Sequence, residues 1–185
     1  MDDGESADPG SLVWPVSISL DSQGNLYVSD EWLNRISMFT SYGDWLGSWG
    51  IKGKADGEFD KPSGIAFDHE DNLYIVDTGN NRIQKFTKDG QFLDKWGHEG
   101  TGDGEFNMPW GIDIDSNGDV FIADWRNDRI QKFTSDGQFL MKLGVPGSGD
   151  GELNRPTDMA VDGQGLIYVA DWQNDRVQVF DSEGR

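Results

Sequence analysis

Carboxylates set beside glycine are the first candidates for chemistry in this chain. Asp56-Gly57-Glu58, Asp103-Gly104-Glu105 and Asp150-Gly151-Glu152 recur at a fixed interval, and calcium takes oxygen ligands of that type. One acid pair per loop is too few for a cage, and Asp/Gly turns account for the composition without an ion. The expected cofactor is therefore none, with calcium the ion these loops leave open. A second acidic run, Asp115 to Asp119, resembles the start of a helix-flanked calcium loop, but Arg126 stands where that loop needs its bidentate glutamate. The run reads as a hairpin turn. Histidine is scarce: His69 and His98 fall in different kinds of loop, so a three-histidine zinc site cannot be assembled from this chain.

Aspartate and arginine also stand five apart four times over, as Asp30 and Arg35, Asp77 and Arg82, Asp124 and Arg129, Asp171 and Arg176. A catalytic pair is seldom needed four times, whereas every repeated unit must satisfy its loop amides and orient the same corner. These eight residues are expected to be structural, and no catalytic residue is expected.

The elements that would hold these groups follow from one shift of 47 residues, which brings Pro15, Pro62, Pro109 and Pro156 into register together with the four aspartate and arginine pairs. Within one unit, Ile112 to Asp115, Val120 to Ala123, Arg129 to Phe133 and Phe139 to Gly144 read as four short strands. Asn117-Gly118 and Ser135-Asp136-Gly137 supply turns, and Asp124 to Asp128 a loop. In the first strand, Ile18/Leu20, Ile65/Phe67, Ile112/Ile114 and Met159/Val161 share one face, and mostly small residues share the other. Large against small suits blades packed face to face around a narrow axis.

Positions where one unit departs from its siblings are free of the shared demands of the fold. Trp125 and Trp172 align with Glu31 and Thr78 after the second strand, and Trp110 aligns with Val16, Ser63 and Thr157. Strand alternation brings those loops and the inter-blade loops to one face. The candidate binding set is thus Trp110, Trp125, Arg126, Trp172, Trp32 and His98, with the Gly-Asp-Gly-Glu acids around it. Trp45, Trp49 and Trp96 are expected to pack. Asp113 and Asp158 replace small residues in the innermost strand and are expected to line the channel, holding a cation or water.

The segments PSGIAFDHEDNLYIVDTGNNRIQKF and PWGIDIDSNGDVFIADWRNDRIQKF resemble the NHL repeat, and the resemblance extends over nearly the whole chain. It implies an all-β fold, a β-propeller of four-stranded antiparallel blades, and commonly a six-bladed ring. Blades are expected at about 10–56, 57–103, 104–150 and 151–185, the last without its outer strand. The expectation is therefore a fragment of a longer propeller, with further blades or a second copy completing the ring. The resemblance also brings an enzyme alternative, since similar propellers include a zinc-histidine lyase and calcium-dependent lactonases.

Charge bounds the partners. The 34 acidic and 15 basic residues give a net charge of −19, the wrong sign for phosphate neutralisation, so nucleic acid is not expected. Met1 to Gly10 has neither a basic region nor an apolar run, so no signal peptide or membrane anchor is read there. Cysteine is absent, which leaves the compartment open, an extracytoplasmic one included. The function expected is a non-enzymatic scaffold that presents its tryptophan- and acid-rich loop face to a protein, peptide or glycan.

Overall fold

The computed structural model describes residues 9–185; the leader-free reading of the first residues falls mostly outside them. The chain forms four blades in sequence. Blade 1 holds β1 (Pro15–Leu20), β2 (Leu26–Asp30), β3 (Arg35–Phe39) and β4 (Trp45–Trp49), and blade 2 holds β7 (Pro62–Phe67), β8 (Asn72–Asp77), β9 (Arg82–Thr87) and β10 (Phe92–Trp96). Blade 3 holds β11 (Pro109–Ile114), β12 (Val120–Asp124), β13 (Arg129–Phe133) and β14 (Phe139–Leu143). Blade 4 holds β17 (Pro156–Val161), β18 (Ile167–Asp171) and β19 (Arg176–Phe180). Each blade is an antiparallel meander in chain order, with four strands in the first three and three in the last.

Local chemistry sets the turns. Asp115 closes its hairpin by accepting the Asn117 and Asp119 amides at 2.9 and 3.0 Å, and Asp21, Asp68 and Asp162 do the same in their blades. The carboxylate replaces backbone partners that a tight turn cannot offer. Gly118 sits there at φ 84°, where a side chain would be strained.

Blades meet as the repeat predicts, small face on large. Gly64 of β7 lies so close to β11 that a Cβ would stand 2.6 Å from the Trp110 carbonyl and 3.0 Å from the Ile112 side chain. Ile112 and Phe106 fill that interface with Tyr74, Val76 and Ile83. Each fully buried large side chain of this type contributes about 1.5–3 kcal/mol. The outward faces of the first and last blades are open by contrast: Ile18 is 59% exposed where its counterpart Ile65 is 4%, and Val179 is 52% exposed.

The segments between blades depart from a plain loop. Short parallel ribbons join β5 (Ile51–Lys52) to β6 (Glu58–Phe59) and β15 (Val145–Pro146) to β16 (Glu152–Leu153). Phe59, Phe106 and Leu153 anchor these segments, all fully buried. Phe59 lies 5.8 Å from Trp49 and 5.7 Å from Phe86, ring centre to centre. Trp49 and Trp96 pack as expected, whereas Trp45 on the outer strand remains 43% exposed. No helix among the described residues is long and apolar enough to cross a membrane.

Candidate binding face

The repeated aspartate and arginine build the corner that carries this face. In blade 3, Asp124 Oδ2 accepts Arg129 Nε at 2.8 Å, Asn127 Nδ2 at 2.8 Å and Gln131 Nε2 at 3.0 Å, while Oδ1 accepts the Asn107 amide at 2.8 Å. Arg129 also donates to the carbonyls of Thr101, Gly102 and Glu105, pinning the inter-blade loop. Blades 2 and 4 repeat the arrangement around Asp77 with Arg82 and Asp171 with Arg176. Burial pushes the Asp77 and Asp124 carboxyls above the usual aspartate range, against the hydrogen bonds they accept. At Asp171 desolvation is outweighed by bonds from Asn154, Asn174 and Arg176, and the carboxyl falls below it.

Blade 1 differs. Asp30 is held by the amides of Val13, Trp14, Trp32 and Leu33 rather than by Arg35, which donates to the Ser11 carbonyl. Leu33 and Ser37 occupy the positions of Asn80 and Gln84, so the amide side chains that brace the aspartate elsewhere are missing.

Each corner ends in a left-handed Asn or Asp, and in blades 1 to 3 its side chain reaches one blade onward. Asp128, at φ 54°, accepts the Arg155 amide at 2.8 Å, as Asn34 and Asn81 accept those of Lys61 and Met108. That link fixes Arg155 beside the 3-10 turn Trp125–Asn127. The indole of Trp125 then has both Trp110 and Trp172 as neighbours, each 6.4 Å away between ring centres and tilted by 50° and 33°. The guanidinium carbons of Arg155 and Arg126 lie 5.0 and 5.4 Å from the Trp125 ring, distances at which a cation is attracted to an aromatic face. Trp110 and Trp125 are half-buried, Trp172 is 55% exposed and Arg126 is exposed. In blade 2 the same two positions are the buried Ser63 and Thr78, whose hydroxyls donate to the carbonyls of Trp110 and Pro109 at 2.7 Å.

The structure thus brings together four of the six residues predicted for the face and adds Arg155. Trp32 is 66% exposed but stacks on none of the three rings. His98 stands on the inter-blade loop with Nε2 3.4 Å from Glu105 Oε1. The glutamates of the Gly-Asp-Gly-Glu loops are spent on their own backbones: Glu58 accepts the Lys54 and Ala55 amides, and Glu152 those of Ser148 and Gly149. Asp113 acts as an inter-blade clip, accepting the Val161 amide at 2.7 Å. Asp158 stands with a carboxylate oxygen close over Gly111 of blade 3, leaving no room there for a Cβ; desolvation raises its carboxyl and repulsion from Asp113 adds to the rise. Arg155 escaped the sequence because its partner ring is thirty positions away; the signal was that it aligns with Lys61, Met108 and Trp14.

At the opposite end of blades 3 and 4 lies a cavity of about 200 Å³ lined by Phe121, Lys132, Asp115, Asp162 and Ser182. In the preceding blades the matching tyrosines bridge this gap, Tyr27 to the Lys88 carbonyl and Tyr74 to the Ser135 carbonyl, both at 3.3 Å. Phe121 lacks the hydroxyl.

The NHL repeat matches residues 59–86, 106–133 and 153–180. No curated protein matches the chain. Solved structures that resemble it include a streptogramin B lyase, 20% identical with a TM-score of 0.74 over 98% of this chain and 54% of that one. A virginiamycin B lyase from Staphylococcus aureus is 17% identical, with a TM-score of 0.72 over 93% of this chain and 54% of that one. A protein of unknown function from Bacteroides caccae is 14% identical, with a TM-score of 0.59 over 91% and 61%. The chain spans about half the length of the two lyases, and at these identities the likeness is one of fold. Three consecutive blades each carry a matched repeat that runs from the buried anchor of the inter-blade loop into the third strand, which places the chain among the NHL-repeat β-propeller proteins.

Proposed function

We propose that this chain is a binding module that docks its ligand, a protein, peptide or glycan, on the shelf formed by Trp110, Trp125 and Trp172. The observation that carries this reading is the row of three partly exposed indoles spaced 6.4 Å apart. The shared blade framework does not call for it, because blade 2 fills the same positions with Ser63 and Thr78. Aromatic rings offer large contact area with few rotatable bonds, which is why they dominate binding hot spots. Screening the chain against glycan and peptide arrays, with Trp172→Ala as the paired control, tests the reading. A bound class lost on substitution supports it, and binding indifferent to Trp172 refutes it.

A second reading is favoured by the fold likeness to the streptogramin B and virginiamycin B lyases: a lyase whose reaction centre involves this face or a longer chain. Incubation with a streptogramin B substrate separates the two, since turnover by this chain would displace the binding-module reading.

A further inference from the structure

We infer that the shelf takes a glycan carrying a single carboxylate, a uronic acid residue stacked on the indoles with its acid group against Arg126 and Arg155. The inference rests on the binding reading above and names the ligand chemistry. The chain has 34 acidic residues, and Arg82, Arg129, Arg176 and Arg185 all pair with carboxylates. Arg126 and Arg155, like Arg35, have no carboxylate oxygen within 4.0 Å among the described residues, and they differ from it in that both guanidiniums lie against Trp125. Two guanidiniums without a carboxylate partner, both against the same indole, are a local concentration of positive charge in so acidic a chain, and guanidinium matches the planar geometry of a carboxylate.

The backbone favours a sugar over a peptide. Peptides commonly gain affinity by pairing main-chain groups, but those beside the shelf are already engaged. The Arg126 amide donates to Asn107 O and the Gln173 amide to Asn154 O, while the Asn107 and Asn154 amides are held by Asp124 and Asp171. Recognition is left to ring faces and to the two cations. A pyranose stacks its C–H face on an indole and projects its carboxylate sideways. Net charge selects a lone acid over a polyuronate, because repeated negative charge is repelled by the rest of the surface.

Calorimetric titration of the whole chain with methyl β-glucuronide and its neutral counterpart methyl β-glucoside tests the assignment, with a short peptide ending in a free carboxylate as a third arm. The expected result is glucuronide binding at least tenfold tighter than glucoside. Arg126→Gln, at an exposed position, should bring the two sugars to the same affinity, and Trp125→Ala should remove both. Equal affinity for the two sugars in the native chain would overturn the carboxylate inference while leaving the shelf as a binding site. Binding of the peptide but neither sugar would overturn the glycan assignment, and binding of no arm would overturn the inference as a whole. The shelf itself then stands or falls on the array test with Trp172→Ala.

Discussion

Arg129→Met and Arg35→Met are the same substitution at equivalent corners, and the structure assigns them very different costs. Arg129 is almost fully buried, donates to Asp124 at 2.8 Å, and holds three loop carbonyls at 2.7–2.9 Å. Its removal leaves a buried carboxylate without its cation, a loss of about 3–5 kcal/mol for such pairs. Among the described residues Arg35 makes one hydrogen bond, to the Ser11 carbonyl, and its Nε is buried without a partner. Methionine there removes one favourable and one unfavourable term, so the cost should stay below about 1 kcal/mol. With a urea dependence of about 2 kcal/mol per molar, the unfolding midpoint should fall by about 1.5–2.5 M for Arg129→Met and by less than about 0.5 M for Arg35→Met. Urea denaturation followed by tryptophan fluorescence reads both. Equal shifts at the two corners would refute the argument that the ion pair and its loop ties distinguish blade 3 from blade 1.

Phe121→Tyr should restore the hydroxyl bridge to the Ser182 carbonyl, stabilising the chain by about 0.5–1.5 kcal/mol and raising its melting temperature by roughly 1–6 °C for a chain of this size; an unchanged melting point would count against the account of the cavity. Trp96→Ala should cost about 3 kcal/mol or more because the ring packs against the core between blades 2 and 3, whereas Trp172→Ala should leave the denaturation midpoint nearly unchanged, and comparing the two curves checks the division between packing and shelf. Burial and the charges of Asp21, Asp89 and Asp71 push the Tyr27 phenol up to about 12, and burial with Asp68 raises that of Tyr74. The folded state therefore favours the neutral phenols: the stability they lend is present below the unfolded value near 10 and is lost as pH rises through about 12, so a phenolate absorbance titration should show these two ionising late and with unfolding.

The fold was legible because its demands recur. Ile112 opposite Gly64, the aspartate that closes each hairpin and the aspartate-arginine corners of blades 2 to 4 all follow from a pattern that each unit repeats. The inter-blade ribbons were not legible, since two residues are too few to show a strand period, and only the recurring Phe59, Phe106 and Leu153 mark them. At the corner of blade 1 Asp30 still satisfies its loop amides, but Leu33 and Ser37 replace the amide companions of the other blades and Arg35 reaches the Ser11 carbonyl instead, a difference that the spacing of aspartate and arginine alone does not show. On the candidate face the three indoles were visible as departures from the repeat. Arg155 was not, because its position depends on the left-handed Asp128 of the blade before, a link in space that spacing along the chain does not announce.

Those left-handed links carry a consequence for how the chain opens. Asn34, Asn81 and Asp128 each reach only the next blade, and the inner strands pack in sequence, β1 on β7, β7 on β11, β11 on β17. Coupling of this kind passes between neighbours, so the propeller behaves as a short one-dimensional array whose end units open before its middle. Amide exchange should then be slowest in blades 2 and 3 and faster in blades 1 and 4. The indole shelf crosses the boundary between blades 3 and 4, and a ligand lying over both Trp125 and Trp172 would act as an added link there, slowing exchange in blade 4 more than in blade 1.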